Sequence, residues 1–195
     1  MKDRLFYKII KCIFYIPMCK LLYNIEVVGK DNIPKEGRVI LAGNHTKWLD
    51  PVMLVTIVKR QVHFLAKEEL FHGITKPIVK GMGCVPVNRK IHDHHALEGA
   101  VDYLNAGLCV GIFPEGTINR TDDLIMPFKI GAVKACSEAK AKLVPFVITG
   151  KYKLFRKRVK IEFLEPMTVG DDLEKANEEL MNKVSKKIEE ANNGS

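Results

Sequence analysis

A histidine and an aspartate in one short segment carry the clearest potential for chemistry in this sequence. His45 and Asp50 bracket the loop Asn-His-Thr-Lys-Trp-Leu-Asp-Pro at residues 44–51. A neutral imidazole titrates near ambient pH, so it can take a proton from an alcohol as that alcohol attacks a carbonyl. A carboxylate on the other ring nitrogen fixes the tautomer and stabilises the imidazolium that forms. The pair therefore predicts a general-base dyad, although a helix cap beside an unrelated histidine explains this loop alone at least as well.

The nucleophile of such a dyad is not an obvious part of the chain. The sequence contains only Ser137, Ser185 and Ser195, and none of them stands in a Gly-x-Ser-x-Gly segment. With no serine nucleophile, the attacking hydroxyl has to come from the substrate.

The residues around the loop indicate the elements that position it. Residues 39–42 are an apolar run closed by Gly43, which predicts a buried strand ending in a turn. Asp50 and Pro51 predict a helix start, with a capping carboxylate and a proline at the first helical position, and the helix is expected to run to about Arg60. The dyad would then lie at the carboxyl end of a strand, where open α/β sheets bind their ligands.

The remaining periodicity predicts an α/β fold, a mostly parallel, mixed sheet flanked by helices. Further strands are expected at 25–28, 62–66, 84–89, 108–113, 143–148 and 159–163. Helices are expected over about 96–104, from 132 to about 141, and over 171–191. Gly81 and Gly83 in the segment 77–83 are expected to allow close approach of the backbone to a ligand.

Composition limits the partners. The chain has 195 residues, enough for one domain with a sizeable core, and a net charge of +8 that favours an anionic partner. Its five cysteines are odd in number and contain no Cys-x-x-Cys pair, which is typical of reduced intracellular thiols.

The first 23 residues predict a membrane-lying segment. Large apolar residues recur at helical spacing, basic residues occupy the opposite side, and Pro17 is expected to break or kink the helix. The longest charge-free stretch has eight residues, against the ~20 that a spanning helix needs. A core-packing helix is the alternative. We expect 1–23 to associate with membranes, with no signal peptide, and 24–195 to form a single α/β domain.

Two other clusters suggest different chemistry. Residues 92–95, His-Asp-His-His, supply metal-ligand types, but sequence neighbours rarely point at one centre, so we expect a helix start and no metal. Residues 151–160 contain six basic residues and two aromatic ones, a pattern that suits single-stranded nucleic acid or an anionic bilayer.

Four blocks resemble one family in order and spacing. Asn44-His45 with Asp50, the basic pair Lys67 and Arg89, the segment 114–117 (Pro-Glu-Gly-Thr) and the strand 143–148 with its Val-Pro pair resemble the motifs of the glycerolipid acyltransferases, typified by 1-acylglycerol-3-phosphate acyltransferase. The segment 127–132 resembles the same family, and together the blocks cover about 25–165.

The resemblance implies a glycerol-3-phosphate acyltransferase-like fold and roles for particular residues. His45 would be the general base and Asp50 its orienter. Acceptor phosphate and glycerol would be bound by residues matching the second and third motifs: Lys67, Arg89, Glu115, Gly116 and Thr117. The arginine that most often follows that threonine is Ile118 here, so Arg120 and Lys129 are expected as compensating phosphate contacts.

The implied reaction is acyl transfer from a thioester to the free hydroxyl of 1-acylglycerol 3-phosphate, which gives phosphatidate. No cofactor or metal is expected, since acyl-CoA or an acyl-acyl carrier protein serves as co-substrate. The expected partners are a lysophospholipid acceptor and an anionic membrane surface at the cytoplasmic face of the cell membrane, and not nucleic acid. Another lysolipid or glycerol 3-phosphate is the near alternative. A metal-dependent phosphohydrolase and a non-catalytic basic binding protein are the remote ones.

Overall fold

The structure is a computed structural model of the whole chain, and it describes residues 7–9, 11–12, 22–23, 25–87, 94–152 and 159–193. Its centre is a seven-stranded sheet in the order β1-β7-β6-β2-β5-β3-β4. The strands are β1 (Ile25–Val28), β2 (Val39–Gly43), β3 (Val62–Lys67), β4 (Val85–Val87), β5 (Cys109–Ile112), β6 (Lys142–Thr149) and β7 (Val159–Phe163). All neighbouring pairs are parallel except β6 and β7, which are antiparallel, so the predicted mixed sheet is confirmed.

Helices connect and cover these strands. The α-helices are α1 (Asp50–Ile57), α2 (Lys76–Gly81), α3 (His94–Asn105), α4 (Gly131–Glu138) and α5 (Leu173–Asn193). In the described part of the chain, short 3₁₀ turns lie at Lys30–Asn32, Glu68–Phe71 and Gly73–Thr75. Among the described residues, no helix is both long enough and apolar enough to span a membrane.

The apolar side chains of the strands alternate between two cores because successive strand residues face opposite sides of a sheet. Val39 and Leu41 pack on the side of α1, whereas Ile40 and Ala42 pack on the side of α3, α4 and α5. All four side chains are fully buried. The central strand that precedes the dyad is therefore held from both faces.

Two local expectations were wrong. Helix α1 ends at Ile57 rather than near Arg60, whose guanidinium instead donates to the main-chain carbonyls of Pro34, Gly37 and Gly107. The Asp50 carboxylate does not cap the helix, because the N-cap residue is Leu49 and makes no side-chain cap bond.

The segment 77–83 also differs from its expected form. Most of it is helical, since α2 runs to Gly81. Position 83 does require glycine, because its φ is +70°. A Cβ there would lie 2.6 Å from Gln61 Nε2 and 3.0 Å from His63 Nδ1. The close approach at Gly83 is therefore to neighbouring protein side chains.

Candidate active site

The predicted dyad forms at the carboxyl end of β2. The Nδ1 atom of His45 lies 2.9 Å from Asp50 Oδ2, and the Asp50 side chain is fully buried while that of His45 is 14% exposed. A carboxylate can only accept, so Nδ1 carries the proton and Nε2 is left as the acceptor of the ring. This is the tautomer that a general base requires.

The Asp50 carboxylate is held by several donors. Oδ2 also accepts from the main-chain amides of Thr46, at 2.6 Å, and Lys47, at 2.8 Å. Oδ1 accepts from the hydroxyl of Tyr152 at 2.7 Å and, more weakly, from Thr46 Oγ1 at 3.3 Å. Hydrogen bonds to a carboxylate compensate for its burial, and Asp50 receives them on both oxygens. The loop between His45 and Asp50 is thus wrapped around its own carboxylate.

An aromatic stack supports the histidine ring. Phe113, directly after β5, lies parallel to the imidazole of His45 with ring centroids 4.0 Å apart. Phe64 stacks on the other side of this cluster at 5.5 Å from Phe113, and Phe146 meets Phe113 edge-on at 5.8 Å. Phe64 on β3 and Phe146 on β6 therefore hold Phe113 in place, and Phe113 fixes the plane of the His45 ring.

Asn44 fixes the strand that leads into the loop. Its side-chain amide donates to the carbonyl of Ile148 at 2.9 Å and its oxygen accepts from the amide of Ile148 at 2.8 Å. Asn44 is almost completely buried, so these two hydrogen bonds join the ends of β2 and β6 away from solvent.

Glu115 reaches the His45 loop from the segment after β5. Its Oε1 accepts from the His45 amide at 2.6 Å and its Oε2 from the Met126 amide at 2.9 Å. Burial raises the pKa of Glu115, while these two amide bonds oppose the shift. The Asn119 amide adds a bond to the His45 carbonyl at 2.8 Å. The structure thus gives Glu115 main-chain contacts that hold the loop, whereas its expected contact with the acceptor stays a prediction.

The other predicted binding residues lie around the same edge of the sheet. Gly116 has a φ of +74°, and a Cβ there would lie 3.2 Å from the Nζ of Lys129. Lys129 is brought to this position by its amide, which bonds the Pro114 carbonyl at 2.9 Å. Thr117 and Arg120 are exposed in the same segment.

The second-motif pair is only partly described. Lys67 is the last residue of β3, so its main chain ends at the same edge as the His45 loop. Arg89 lies outside the described residues, as do His92 and Asp93 of the histidine-rich run, and helix α3 begins directly afterwards at His94. Within the part of the chain that the structure describes, no group of three or more metal-ligating side chains comes together.

Four other nucleophilic side chains are poorly suited to covalent catalysis. Burial raises the pKa of the Cys84 and Cys109 thiols to about 12, so both stay protonated at neutral pH. Ser137 and Ser185 lie on α4 and α5, two helices that pack on the face of the sheet opposite to α1. A direct attack by a substrate hydroxyl fits this arrangement.

Comparisons with known proteins identify the family of this chain. A family model described as Acyltransferase matches residues 24–149. The 1-acyl-sn-glycerol-3-phosphate acyltransferase of Bacillus subtilis is 33% identical over 153 residues, which are 75% of each chain. The protein of that name from Borreliella burgdorferi is 33% identical over 138 residues, 69% of this chain and 55% of the relative.

The chain belongs to the acyltransferase family. The resemblance stated from the motif blocks is confirmed, and the chain is an O-acyltransferase. Its fold agrees with a crystal structure of the 1-acyl-sn-glycerophosphate (LPA) acyltransferase PlsC from Thermotoga maritima. The two superpose with a TM-score of 0.81 at 23% identity, covering 97% of this chain and 81% of the other.

Several contacts of this acyltransferase site were not predicted from its sequence. They include the stack of Phe113 on His45, the two hydrogen bonds of the Asn44 side chain, the bond from the His45 amide to Glu115 and the hydroxyl of Tyr152 on Asp50. Phe113 is the residue directly before the third motif, so its position offered a signal. Tyr152 is 102 residues from Asp50 and stands in a basic run, where an aromatic side chain suggested a binding surface.

The described part of the N-terminal segment contacts the same acyltransferase helix. The Tyr7 side chain is buried in the core, and its hydroxyl lies 3.5 Å from the carbonyl of Val55 in α1. Lys11 Nζ donates to the carbonyl of Val58, at the end of that helix. Ile9 is 45% exposed. Residues 7 and 11 thus face the protein, and residue 9 faces outward.

Proposed function

We propose that this acyltransferase transfers a fatty acyl group from a thioester to the free hydroxyl of 1-acylglycerol 3-phosphate, giving phosphatidate. The observation that carries the mechanism is the 2.9 Å contact between His45 Nδ1 and the buried carboxylate of Asp50. The names of the Bacillus and Borreliella relatives support the acceptor.

The dyad performs the reaction as a general base. Nε2 of His45 takes the proton of the acceptor hydroxyl as its oxygen attacks the thioester carbonyl carbon. Asp50 stabilises the imidazolium that results. As the tetrahedral intermediate collapses, the carbon–sulfur bond breaks, and the leaving sulfur takes the proton from the imidazolium. One ester forms, one thioester is lost, and the base returns to its neutral state.

Phosphate recognition is proposed for cations at the same edge of the sheet. A phosphomonoester carries nearly two negative charges at neutral pH, so it favours fixed cations and main-chain amides. Lys129 lies against Gly116, where the missing Cβ lets the lysine side chain approach the backbone. Lys67 and Arg89 are proposed as the main contacts, since the arginine expected after Thr117 is replaced by Ile118.

The donor and the location belong to the same proposal. Acyl-CoA or an acyl-acyl carrier protein supplies the thioester, and residues 1–23 hold the enzyme on the anionic cytoplasmic face of the cell membrane. The orientation of the described residues supports this: Tyr7 and Lys11 contact α1, while Ile9, between them in sequence, is exposed. A helix lying between protein and lipid needs these two different sides.

A product assay tests the reaction. The purified chain in mixed vesicles receives 1-acylglycerol 3-phosphate with isotopically labelled palmitoyl-CoA or palmitoyl-acyl carrier protein, and mass spectrometry follows label entering phosphatidate. Glycerol 3-phosphate and a neutral monoacylglycerol are offered in parallel. Labelled phosphatidate as the dominant product is expected, and labelling of another acceptor in preference would contradict the proposed substrate.

A further inference from the structure

Tyr152 contacts the dyad from outside the motif blocks. Its hydroxyl lies 2.7 Å from Asp50 Oδ1, on the carboxylate oxygen opposite to the one that faces His45. A phenol both donates and accepts, but an ionised carboxylate only accepts, so Tyr152 donates to Asp50. Such a charge-assisted bond is among the stronger hydrogen bonds in proteins.

The fold fixes Tyr152 in this place from two sides. Asn44 bonds both main-chain groups of Ile148, which ties the end of β6 to the strand that leads into the His45 loop. The chain then turns at Gly150, with a φ of +85°, and brings Tyr152 over Asp50. Tyr23 meets the Tyr152 ring edge-on, with centroids 5.7 Å apart. The ring is therefore packed as well as hydrogen-bonded.

We propose that Tyr152 is a positioning residue of the dyad. Its hydroxyl orients the Asp50 carboxylate and, by donating a hydrogen bond, reduces the negative charge on that carboxylate. The proposal rests on the proposed function, because it requires His45 to be the base. Without the phenol, one carboxylate oxygen loses its strongest donor and the carboxylate can rotate away from the plane of the imidazole. Without this donor the Asp50 carboxylate also keeps more of its negative charge, which favours the imidazolium of His45 over the neutral base.

Other charged groups face this pair and define what the phenol adds. The Glu115 carboxylate interacts electrostatically with both His45 and Asp50 from the segment after β5. Lys129 lies in the same segment beside Gly116. Tyr23 packs on Tyr152 from the N-terminal segment. Tyr152→Phe leaves all of these in place and removes one donor.

The test compares Tyr152→Phe with Tyr7→Phe, using palmitoyl-CoA and palmitoyl-acyl carrier protein as donors and 1-acylglycerol 3-phosphate as acceptor. Tyr7→Phe is the matched control, because it removes the hydroxyl of another tyrosine that contacts α1, at the carbonyl of Val55 rather than at the carboxylate. For Tyr152→Phe we expect kcat to fall about tenfold, since a bond to a charged group is lost. KM stays within about twofold of the wild type. The acid limb of the pH profile of kcat/KM moves to higher pH.

A double-mutant cycle separates positioning from general support of the fold. In the Asp50→Asn background the phenol has no ionised carboxylate to orient, so adding Tyr152→Phe is expected to change kcat by less than about twofold. A further tenfold loss there would overturn the proposal. Where Tyr152→Phe fails to fold, 3-fluorotyrosine in place of Tyr152 keeps the ring and hydroxyl and is a stronger donor. It is expected to move the acid limb to lower pH, and an unmoved limb would contradict the proposal.

The two proposals fail in different ways. Full transfer by a folded His45→Ala variant would overturn the dyad and, with it, the role of Tyr152. An inactive His45→Ala variant together with a Tyr152→Phe enzyme of wild-type kcat and unmoved pH profile would overturn the role of Tyr152 alone.

Discussion

The two halves of the site are built differently. In the half that carries the dyad, the Asp50 carboxylate is fully buried and accepts from His45, Thr46, Lys47 and Tyr152. In the half proposed to bind phosphate, the described cations Arg120 and Lys129 are exposed. Lys129 reaches its place through one main-chain bond and by lying over Gly116.

This difference matches the tasks of the two halves. Proton removal needs atoms held within a fraction of an ångström, so its groups are fixed by the fold before substrate arrives. Phosphate binding needs positive charge near the sheet edge, and an exposed lysine can adjust to the acceptor. Changes in the first half should therefore affect kcat, and changes in the second half should affect KM.

Asp50→Asn is expected to separate the two halves most clearly, by lowering kcat with little change in KM. A carboxamide carries no negative charge, so it cannot stabilise the imidazolium of His45 as the carboxylate does. We expect kcat to fall by about 10²–10⁴ with little change in KM for the acceptor. Steady-state kinetics measure both. Asp122→Asn, an exposed carboxamide substitution near the site, is the control. A main effect on KM would contradict the assignment.

Arg89→Ala is expected to act on the other half. We expect KM for 1-acylglycerol 3-phosphate to rise at least about tenfold, because a bond to a charged phosphate is lost. KM for a neutral monoacylglycerol should change far less. Arg89→Lys should recover only part of the loss, since lysine cannot make the bidentate contact. Equal damage with both acceptors would mean that Arg89 supports the fold or the donor instead.

Glu162→Gln is expected to leave both halves unchanged and to affect stability alone. Burial tends to raise the pKa of Glu162, but hydrogen bonds from Lys160 on β7 and Lys187 on α5 lower it overall. A lowered pKa stabilises the fold above the unfolded pKa near 4.5, and this stability is lost as pH falls through the folded value.

The expected size of that effect is small, about 1 kcal/mol or less, because the two lysines are about a third exposed. Thermal unfolding at pH 7 and at pH 3 measures it. The wild type should exceed Glu162→Gln in stability at pH 7, and the difference should shrink as the pH is lowered toward 3. A constant difference between them at both pH values would show that the ion pairs are not its source.

The sequence predicted elements whose signal is local. The apolar runs of β5 and β6 are buried throughout or nearly so, and their position along the chain was correct. The pairing of His45 with Asp50 was also accessible, because both residues lie in one loop whose spacing suits the chemistry. A local pattern of this kind carries its own evidence for structure.

Contacts between residues far apart in the sequence could not be predicted in this way. Glu115 bonds the His45 amide across 70 positions, and Tyr152 bonds Asp50 across 102. Which strands lie side by side at the sheet edge decides both contacts, and nothing in the local pattern around Glu115 or Tyr152 encodes that order. The helix cap assigned to Asp50 was wrong because its carboxylate turns back to its own loop as well as to the distant Tyr152.

The most direct test of the dyad is transfer by His45→Ala beside His72→Ala. His72 is an exposed histidine between two 3₁₀ turns, so it controls for the loss of an imidazole as such. With both variants melting like the wild type, we predict that His45→Ala loses about 10²–10⁴ in kcat and that His72→Ala stays near the wild type. Near-normal transfer of labelled palmitate to 1-acylglycerol 3-phosphate by a folded His45→Ala enzyme would contradict the general-base mechanism.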